Sequence, residues 1–271
     1  MIEDRLCILG AGNMGRALIG GLLRSGTRAE RLSVGESSGE ARTKLARELG
    51  VSATADNLAA VAGATMVVLA VKPREAAAVL APLAGSLART RPLLVSVAAG
   101  VRVAALEGWC GAGVPVVRAM PNRPALVGAG VTGLYAPPAV SAAQRAAAER
   151  VLKAVGEVVW VPGEDALDTV TALSGSGPAY FFLLAELLAE AGERLGLQAE
   201  AARRLATATL YGAGLLAQSG DADLGRLRAE VTSRGGTTEA ALAVLEAADL
   251  RTTVTRALSA AVQRSRELGN S

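Results

Sequence analysis

Six residues near the start of the chain have the spacing of an anion-binding turn. The segment Gly10-Ala11-Gly12-Asn13-Met14-Gly15 follows the apolar run LCIL and precedes a helical pattern. Gly10 permits a tight turn, Gly12 lets the backbone approach a pyrophosphate, and Gly15 allows close packing of helix on strand. Free N–H groups at the helix start then hold the anion without a charged side chain. The segment therefore predicts a dinucleotide site formed by all six residues.

An acidic residue further along the chain bears on the choice of dinucleotide. Glu36 follows the second apolar run, RLSV, about 20 residues after the glycines, where a carboxylate can accept hydrogen bonds from the ribose 2′- and 3′-hydroxyls. Taken alone, Glu36 favours NADH. Ser37, Ser38 and Arg42 lie close by in sequence and offer donors to a 2′-phosphate. The predicted cofactor is therefore NADPH or NADH, with the choice open.

A second glycine loop lies in the carboxyl-terminal half. The segment Ser233-Arg234-Gly235-Gly236-Thr237-Thr238 precedes another helical pattern. Backbone amides at a helix start lack intrahelical partners, so we expect them to face outward unpaired and to form a carboxylate site. Thr237 and Thr238 can add hydroxyl donors, or one of them can cap the helix, and both roles can coexist.

The residue types that are missing restrict the chemistry. Histidine is absent, and lysine occurs only at Lys44, Lys72 and Lys153. These residue types usually donate the proton when a ketone is reduced, whereas an imine nitrogen can take its proton from a hydroxyl or from water. The composition therefore disfavours reactions that need a histidine or lysine as the acid. Cys7 and Cys110 lack metal-ligand or redox spacing, so we expect no metal site and two buried thiols.

The overall composition is that of a globular α/β protein. Of the 271 residues, 51% are hydrophobic and 20% are charged, with a net charge of +3. No basic stripe indicates nucleic acid binding, and no uncharged apolar stretch is expected to approach the ~20 residues of a membrane span. The segment from Met1 to Arg5 runs directly into an apolar strand, which predicts an unprocessed cytoplasmic protein.

The pattern of elements changes once along the chain. From Leu6 to about Val161, short apolar runs alternate with helical patterns, which predicts crossover units and a parallel sheet. After Pro162-Gly163 the patterns are helical only. We predict an α/β protein with a Rossmann-like parallel sheet domain over residues 1–163 and an all-α domain over residues 164–271. The predicted helices of the second domain span residues 164–173, 178–195, 199–219, 237–248 and 250–268.

One of these helices indicates a partner subunit. The helix predicted from Pro178 reads AYFFLLAELLAEAGERL and is apolar around most of its circumference. A lone small domain buries only one stripe of such a helix, so we predict that the all-α domain is a dimerisation domain. The alternative is the central helix of a monomeric bundle.

Four further segments, together with GAGNMG, resemble the pyrroline-5-carboxylate reductase family. They are VLAVKP (68–73), RAMPNRPA (118–125), LSGSGPAY (173–180) and VTSRGGTT (231–238). They occur in the family's order and span essentially the whole chain. The resemblance implies reduction of 1-pyrroline-5-carboxylate to L-proline, the last step of proline biosynthesis, by hydride transfer from NAD(P)H to the C=N bond. It also implies a homodimer or a ring of dimers.

The resemblance further implies the roles of individual residues. Those implied near the cofactor ribose are Ala70, Val71, Lys72 and Pro73. Those implied near the nicotinamide are Ala98, Ala99, Gly100 and Asn122, and Asn57 is implied near the adenosine. Those implied to bind the substrate carboxylate are Ser233, Gly235, Gly236, Thr237 and Thr238. The family's usual Thr and Pro are replaced here by Arg123 and Arg234, which leaves the range of substrates open.

The proton donor is less clearly marked. We expect a hydroxyl or a bound water, with Thr171, Ser174 and Thr238 as candidates, and Glu230 is a candidate for holding the protonated substrate nitrogen. Residues 174–177 precede Pro178 at a helix start and are predicted to serve dimer packing and to line the substrate pocket. A plain helix connector is the alternative for this segment.

Two other functions remain open. A β-hydroxyacid dehydrogenase shares the domain arrangement, but proteins of that kind carry a lysine on the first long helix of the second domain, and residues 178–195 contain none. A nonenzymatic NAD(P)-binding regulatory dimer would keep the fold without the reaction.

Overall fold

A computed structural model describes residues 5–219 and 223–269. Residues 1–4, on which the prediction of an unprocessed amino terminus rests, lie outside the described residues. The chain divides into two compact units. The sheet unit comprises the described residues up to Gly175 and those from Ala261 onward, and the helical unit comprises Ser176–Ala260.

Eight strands form one sheet within the described part of the sheet unit, in the order β3-β2-β1-β4-β5-β6-β7-β8. Neighbouring strands are parallel except β6 and β7, which are antiparallel. The strands are β1 (Leu6–Leu9), β2 (Leu32–Gly35), β3 (Ala53–Thr54), β4 (Met66–Leu69), β5 (Leu93–Ser96), β6 (Val116–Met120), β7 (Gly130–Tyr135) and β8 (Gly156–Trp160).

The sheet is mostly parallel, as predicted, and its last two strands, β7 and β8, run opposite to the others. Residues 121–129 connect β6 to β7, and they contain only a short 3-10 turn at Arg123–Val127. A parallel crossover needs about a dozen residues or more, so this connection can only return the chain antiparallel. Neither β7 nor the short edge strand β3 was predicted.

Helices cover both faces of the sheet. Alternate residues of β1 point to opposite faces, so Leu6 and Ile8 join one buried cluster while Cys7 and Leu9 join the other. The predicted capping box of Ser141 with Gln144 is present at the start of α7. The helices of this unit are α1 (Asn13–Arg24), α2 (Gly39–Leu49), α3 (Asn57–Val61), α4 (Ala76–Leu80), α5 (Ala84–Thr90), α6 (Val103–Cys110), α7 (Ala142–Lys153) and α8 (Ala166–Val170).

The helical unit contains α9 to α12 and the first part of α13. Their bounds are α9 (Gly177–Arg194), α10 (Ala199–Gln218), α11 (Leu224–Glu230), α12 (Thr237–Ala247) and α13 (Leu250–Gly269). These bounds agree with the predicted helices within a few residues, and α11 was not predicted. Gly177 is the only buried residue in α9, and Ala202 is the only one in α10.

The apolar side chains of α9 are largely exposed. Phe181 and Phe182 are each 59% exposed, and the leucines of the helix are about half exposed. The continuous helical stretch Ala166–Arg194 is long and apolar enough, by length and composition only, to cross a membrane. This corrects the expectation that no stretch approaches that length. A helix that a second copy of the chain covers can have the same length and apolar composition. Its apolar side chains are also exposed when one chain is considered alone.

The division into units does not follow the change of pattern after Gly163. Residues 164–175 and the end of α13 belong to the sheet unit. Ser265 of α13 donates a hydrogen bond to Asp168 of α8 over 2.7 Å, and both side chains are buried. The predicted domain boundary between residues 163 and 164 stays a prediction.

Candidate active site

The first glycine turn lies against the end of a neighbouring strand. Gly10 has a φ of +99°, which favours glycine, and its N–H donates to the Gly35 carbonyl over 2.8 Å. A Cβ at Gly10 would lie 2.8 Å from the Ala70 carbonyl oxygen and from Val71 Cγ1. A Cβ at Gly15 would collide with the carbonyl oxygen of Gly10. The fold therefore brings the turn and the predicted residues Ala70 and Val71 together.

The start of α1 is open to a ligand. Gly12 is the N-cap of α1, makes no side-chain cap and has open space where a Cβ would stand. The N–H of Arg16 donates to the Gly12 carbonyl over 2.9 Å, and the preceding amides belong to the first turn, where helices lack internal acceptors. Asn13 is exposed and Met14 is partly exposed beside this opening. A pyrophosphate fits such a site because amides and helix dipole both favour an anion.

Glu36 is hydrogen-bonded to the first glycine turn. Its two carboxylate oxygens accept hydrogen bonds from the N–H groups of Ala11 (2.7 Å) and Ser38 (2.8 Å). Arg42 donates through Nη1 to the carbonyl oxygens of Glu36 and Ser37, each over 2.8 Å. The carboxylate is therefore fixed beside the glycine turn, while the nearby guanidinium is bonded to backbone carbonyls.

The remaining predicted cofactor residues lie at the carboxyl ends of adjacent strands. Ala70–Pro73 follow β4 and Ala98–Gly100 follow β5, and these strands are parallel neighbours. Asn57 begins α3 with its side chain against Gly35 at the end of β2. Ligands bind at this edge of open parallel sheets.

A cavity of about 700 Å³ joins three of the predicted segments. It is lined by Pro73, by Ala99 and Gly100, and by Thr171. Arg102, Trp109 and Ser265 also line it and were not predicted. The structure thus places a candidate proton donor, Thr171, in the same cavity as the residues that the resemblance implies near the nicotinamide.

Asn122 has protein partners for both ends of its amide. Its Nδ2 donates to the Ser174 carbonyl over 3.1 Å, and its Oδ1 accepts from the Val131 N–H over 2.9 Å. The side chain is almost fully buried. Its contacts are those of a residue that holds β7 and the segment around Ser174 in place.

Two of the candidate hydroxyls donate within their own helix. Residues Thr171–Gly175 form one π-helical turn, a feature that is frequent at functional sites. Thr171 Oγ1 donates to the Leu167 carbonyl over 2.8 Å, and Ser174 Oγ donates to the Val170 carbonyl over 2.9 Å. Either hydroxyl must leave its carbonyl before it can donate a proton to a substrate.

An ion-pair network next to the cavity was missed by the sequence reasoning. Arg118 is buried and pairs with Glu164 over 2.7 Å, and the same Glu164 oxygen accepts from the Val103 N–H. Arg102 pairs with Asp165 and lies 3.6 Å from Asp168. The guanidinium of Arg102 lowers the pKa of the Asp165 carboxyl. No local signal could have revealed these pairs, because their members lie far apart in sequence.

The second glycine loop is partly closed by its own residues. Gly235 has a φ of +71°, and its N–H donates to the Glu239 carboxylate over 2.6 Å. The Gly236 N–H donates to the Ser233 carbonyl over 3.0 Å. The expectation that the loop amides are unpaired is therefore wrong for both glycines, since a tight turn takes one amide and a carboxylate in the first turn of α12 takes the other.

The threonine hydroxyls of this loop stay uncommitted. The N-cap of α12 is Gly236, without a side-chain hydrogen bond, so the alternative that Thr237 or Thr238 caps the helix is wrong. Neither hydroxyl bonds to another residue in the described part of the chain. Both can therefore donate to a ligand without breaking a protein contact.

The charged candidates near this loop differ in whether they form ion pairs. Glu230 at the end of α11 accepts from Arg226 over 2.8 Å in an exposed pair. Arg234, like Arg123 in the sheet unit, is exposed and makes no ion pair within the described residues. Arg234 is thus free to face solvent or an anion.

The two cysteines are buried and free, as predicted. Burial raises the pKa of the Cys7 thiol to about 12 and that of the Cys110 thiol to about 11. Because the thiolate is the reactive form, neither residue is suited to nucleophilic or redox chemistry.

Comparisons with known proteins agree with this architecture. Residues 164–268 match the family described as pyrroline-5-carboxylate reductase dimerisation, and residues 5–100 match the family described as NADP oxidoreductase, coenzyme F420-dependent. Over 268 residues the chain is 47% identical to the pyrroline-5-carboxylate reductase of Pseudomonas aeruginosa, with 99% of this chain and 98% of that protein covered.

Two solved structures extend the similarity to three dimensions. A pyrroline-5-carboxylate reductase from Coxiella burnetii superposes with a TM-score of 0.95 at 42% identity, covering 98% of this chain and 99% of that one. The pyrroline carboxylate reductase of Plasmodium falciparum with NADP bound superposes with a TM-score of 0.84 at 28% identity, covering 99% of both chains.

These matches account for the two features that a single chain leaves unexplained. The opening at the start of α1 lies within an NAD(P)-binding domain, and the exposed apolar α9 lies in a dimerisation domain, so the protein is a homo-oligomer. Identity at this level over the full length shows that the chain belongs to the pyrroline-5-carboxylate reductase family.

Proposed function

We propose that this chain reduces 1-pyrroline-5-carboxylate to L-proline with NADPH or NADH. The observation that carries the proposal is the 47% identity to a pyrroline-5-carboxylate reductase across 99% of the chain. The local geometry agrees with it in each unit. The start of α1 is open to an anion, and the glycine loop at residues 233–238 bears two threonine hydroxyls without protein partners in the described chain.

The chain's own residues would supply binding and orientation. The amides of the first turn of α1 hold the pyrophosphate, Glu36 holds the ribose hydroxyls, and residues 98–100 border the nicotinamide. The reduced nicotinamide, when bound, supplies the hydride that adds to C5 of the ring imine. Placing the two reactants together accounts for much of the lowering of the barrier, so no charged acid is needed beside the ring.

The imine nitrogen must gain one proton for the products to be proline and oxidised cofactor. We assign Thr238 as the first candidate to deliver or relay this proton, because its hydroxyl has no protein partner in the described chain. Thr171 and Ser174 rank after it, since both hydroxyls already donate to helix carbonyls. Glu230 would hold the protonated nitrogen if it leaves Arg226.

The carboxylate of the substrate would bind at residues 233–238. Ser233 and the two threonines offer hydroxyl donors, and the amides of Thr237 and Thr238 lie in the first turn of α12, where they lack helical acceptors. The homo-oligomer would be a dimer or a ring of dimers, and we place the activity in the cytoplasm, where two free cysteines are expected to stay reduced.

Steady-state kinetics test the assignment of Thr238. With pyrroline-5-carboxylate and each cofactor in turn, Thr238→Ala should lower kcat/KM about 100-fold, and Thr238→Ser should restore most of it. Thr232→Ala is the matched control, because that hydroxyl donates to the Arg228 carbonyl over 2.6 Å and is not part of the proposed site. A Thr238→Ala enzyme with the kinetics of wild type removes Thr238 from the site.

The same assay separates the other two functions. Turnover of a 3-hydroxy acid without turnover of pyrroline-5-carboxylate would indicate a β-hydroxyacid dehydrogenase. Tight binding of NADH or NADPH without turnover of either substrate would indicate a regulatory protein. The six-membered homologue of the substrate reports how far the exposed Arg123 and Arg234 change the range of ring sizes.

A further inference from the structure

We propose that Asp168 positions the loop at residues 98–100, through Arg102 on one side and Ser265 on the other. The proposal deepens the proposed function and rests on it, because we place this loop beside the nicotinamide of the bound cofactor. All the residues concerned belong to the sheet unit, so their contacts lie within one compact unit.

The loop at residues 98–100 packs directly against the end of α13. Gly100 has a φ of +78°, and a Cβ built on it would lie 3.4 Å from the backbone N and Cα of Gly269. A Cβ built on Gly269 would lie 3.0 Å from the Gly100 carbonyl oxygen. Two residues without side chains therefore meet backbone to backbone. A shift of the helix end would move the loop or open a gap beside it.

The same helix end forms part of the wall of the cavity of about 700 Å³. Ser265 and Gly269 line this cavity together with Ala99, Gly100 and Thr171. Ser265 and Gly269 are four residues apart, so they lie on one face of α13. The position of this face therefore sets the shape of the cavity beside the loop.

Asp168 contacts both sides of this packing. Its Oδ1 accepts a hydrogen bond from the Ser265 hydroxyl over 2.7 Å, one helical turn before Gly269. Its Oδ2 lies 3.6 Å from Nη2 of Arg102, which is the N-cap of α6 and follows Gly100 by two residues. One carboxylate therefore links the residue that follows the loop to the helix end that packs on the loop.

The burial of this carboxylate favours a positioning role. Asp168 is 6% exposed, and Ser265 is the only buried residue of α13. Asp168 Oδ2 has no hydrogen-bond partner within residues 5–219 and 223–269. A buried oxygen without such a partner costs free energy, so stability alone would not favour this cluster. Its two contacts, to the loop side and to the helix end, give the charged group a function in this place.

Single-turnover kinetics on the homo-oligomer test the proposal. The enzyme with bound NADH or NADPH is mixed with excess pyrroline-5-carboxylate, and the loss of nicotinamide absorbance gives a rate constant and an amplitude. Asp168→Asn keeps the size of the side chain but removes its charge. We expect the rate constant to fall about tenfold or more, because small displacements of the reactants slow the transfer strongly. Deuterium at nicotinamide C4 verifies that this phase is hydride transfer.

A purely structural role predicts a different result. It would lower the amplitude, which counts active sites, or the thermal stability, and it would leave the rate constant of the remaining sites unchanged. Ser265→Ala removes only a hydroxyl and should lower the same rate constant, and Ser265→Thr should restore most of it. The fall in the double variant should be smaller than the product of the two single falls, since both residues act through one hydrogen bond.

Ser259→Ala is the matched control on α13. Ser259 donates to the Thr255 carbonyl over 2.9 Å within its own helix and is exposed. Its rate constant should equal that of wild type.

Fluorescence of the bound cofactor gives a second readout that needs no substrate. A nicotinamide beside a displaced loop should be held more loosely, so the fluorescence anisotropy of bound NADH or NADPH should fall in Asp168→Asn. The dissociation constant of ADP-ribose, which lacks the nicotinamide, should match that of wild type.

An unchanged single-turnover rate constant in Asp168→Asn would overturn the proposal, as would a fall confined to the amplitude. If the wild-type protein does not reduce pyrroline-5-carboxylate, the proposed function is wrong, and the anisotropy alone decides. An anisotropy that Asp168→Asn leaves unchanged then overturns the positioning role as well. The two failures are therefore distinguishable.

Discussion

The sheet unit buries its apolar side chains, whereas the helical unit leaves most of its apolar side chains exposed. Every residue of β1 and β4 is buried, and the two faces of the sheet each carry a buried cluster. In the described helical unit, Ala202 is the only buried apolar side chain. Burying one large apolar side chain contributes about 1.5–3 kcal/mol. The sheet unit can thus supply its own stability, while we expect the helical unit to depend on a second copy of the chain.

The two segments that we propose to bind anions differ in a similar way. The glycine turn of the sheet unit leaves the first amides of α1 without a protein acceptor, because Gly12 has no side chain to cap them. The loop at residues 233–238 already holds a carboxylate from its own helix, that of Glu239. The first segment is therefore open to an anion at the start of its helix, whereas an anion at the second segment would bind beside an amide that Glu239 already occupies.

The largest expected effect comes from charging the exposed face of α9. Leu187→Asp places a carboxylate, without a partner, on a surface that the dimer is expected to bury, which costs about 3 kcal/mol or more. The dissociation constant of the dimer should rise at least 100-fold, measured by light scattering after size-exclusion chromatography. Leu58→Asp is the matched control, since Leu58 of the sheet unit is 51% exposed and Leu187 is 50% exposed.

An unchanged mass for the Leu187→Asp protein would mean that α9 is covered by something other than a second copy. A mass lowered equally by Leu58→Asp would mean that the sheet unit also joins the interface. Either result would remove the contrast between the units in how they are stabilised.

The next effect separates ligand binding from stability within the sheet unit. Gly12→Val adds a side chain in open space, so folding should change by no more than about 0.5 kcal/mol while the dissociation constant for NADH rises at least 100-fold. Gly15→Val forces a side chain against the Gly10 carbonyl and should cost about 1–3 kcal/mol or more of stability. Thermal unfolding and nicotinamide fluorescence measure the two effects.

Gly85→Val serves as the control for both substitutions, because Gly85 of α5 is exposed and also has open space for a Cβ. It should leave NADH binding unchanged. If Gly12→Val lowers stability as much as Gly15→Val, the opening at α1 is filled by the chain itself, and it is not a ligand site.

Local sequence signals predicted the parts of this molecule that depend on neighbouring residues. The turn at Gly10, the helix start at Gly12 and the capping box at Ser141 follow from a few adjacent residues each. The long helices of the second half follow from the 3.6-residue period of their apolar side chains. Family resemblance added the residues after β4 and β5, which no periodicity identifies.

The missed features depend on residues that are distant in sequence or on competition within one loop. Ser265 and Asp168 form a hydrogen bond although the helical unit lies between them in the sequence. No residue near either of them in the sequence indicates this contact. The reversed β7 follows from the length of one short connection. In the second glycine loop, the sequence predicted free amides. Glu239, in the first turn of the following helix, instead accepts a hydrogen bond from the Gly235 N–H.

The smallest expected effect tests that internal carboxylate. Glu239→Ala frees the Gly235 N–H and removes a negative charge from the loop proposed to bind the substrate carboxylate. The KM for pyrroline-5-carboxylate should fall by about two- to fivefold with little change in kcat, because a net contribution of about 0.5–1 kcal/mol is typical of one exposed interaction. The gain should shrink as salt is raised, since salt screens exposed charges.

Glu246→Ala provides the comparison, because it removes the same charge from the far end of α12, where Glu246 pairs with Arg251. Its KM should match wild type. A higher KM in Glu239→Ala would instead show that this carboxylate shapes the loop for its ligand, as the Glu36 carboxylate is held within the first glycine turn. In both loops an acidic side chain would then accept a hydrogen bond from a glycine-turn amide and fix the shape of the turn. The two loops would differ only in whether the ligand contacts this carboxylate or replaces it.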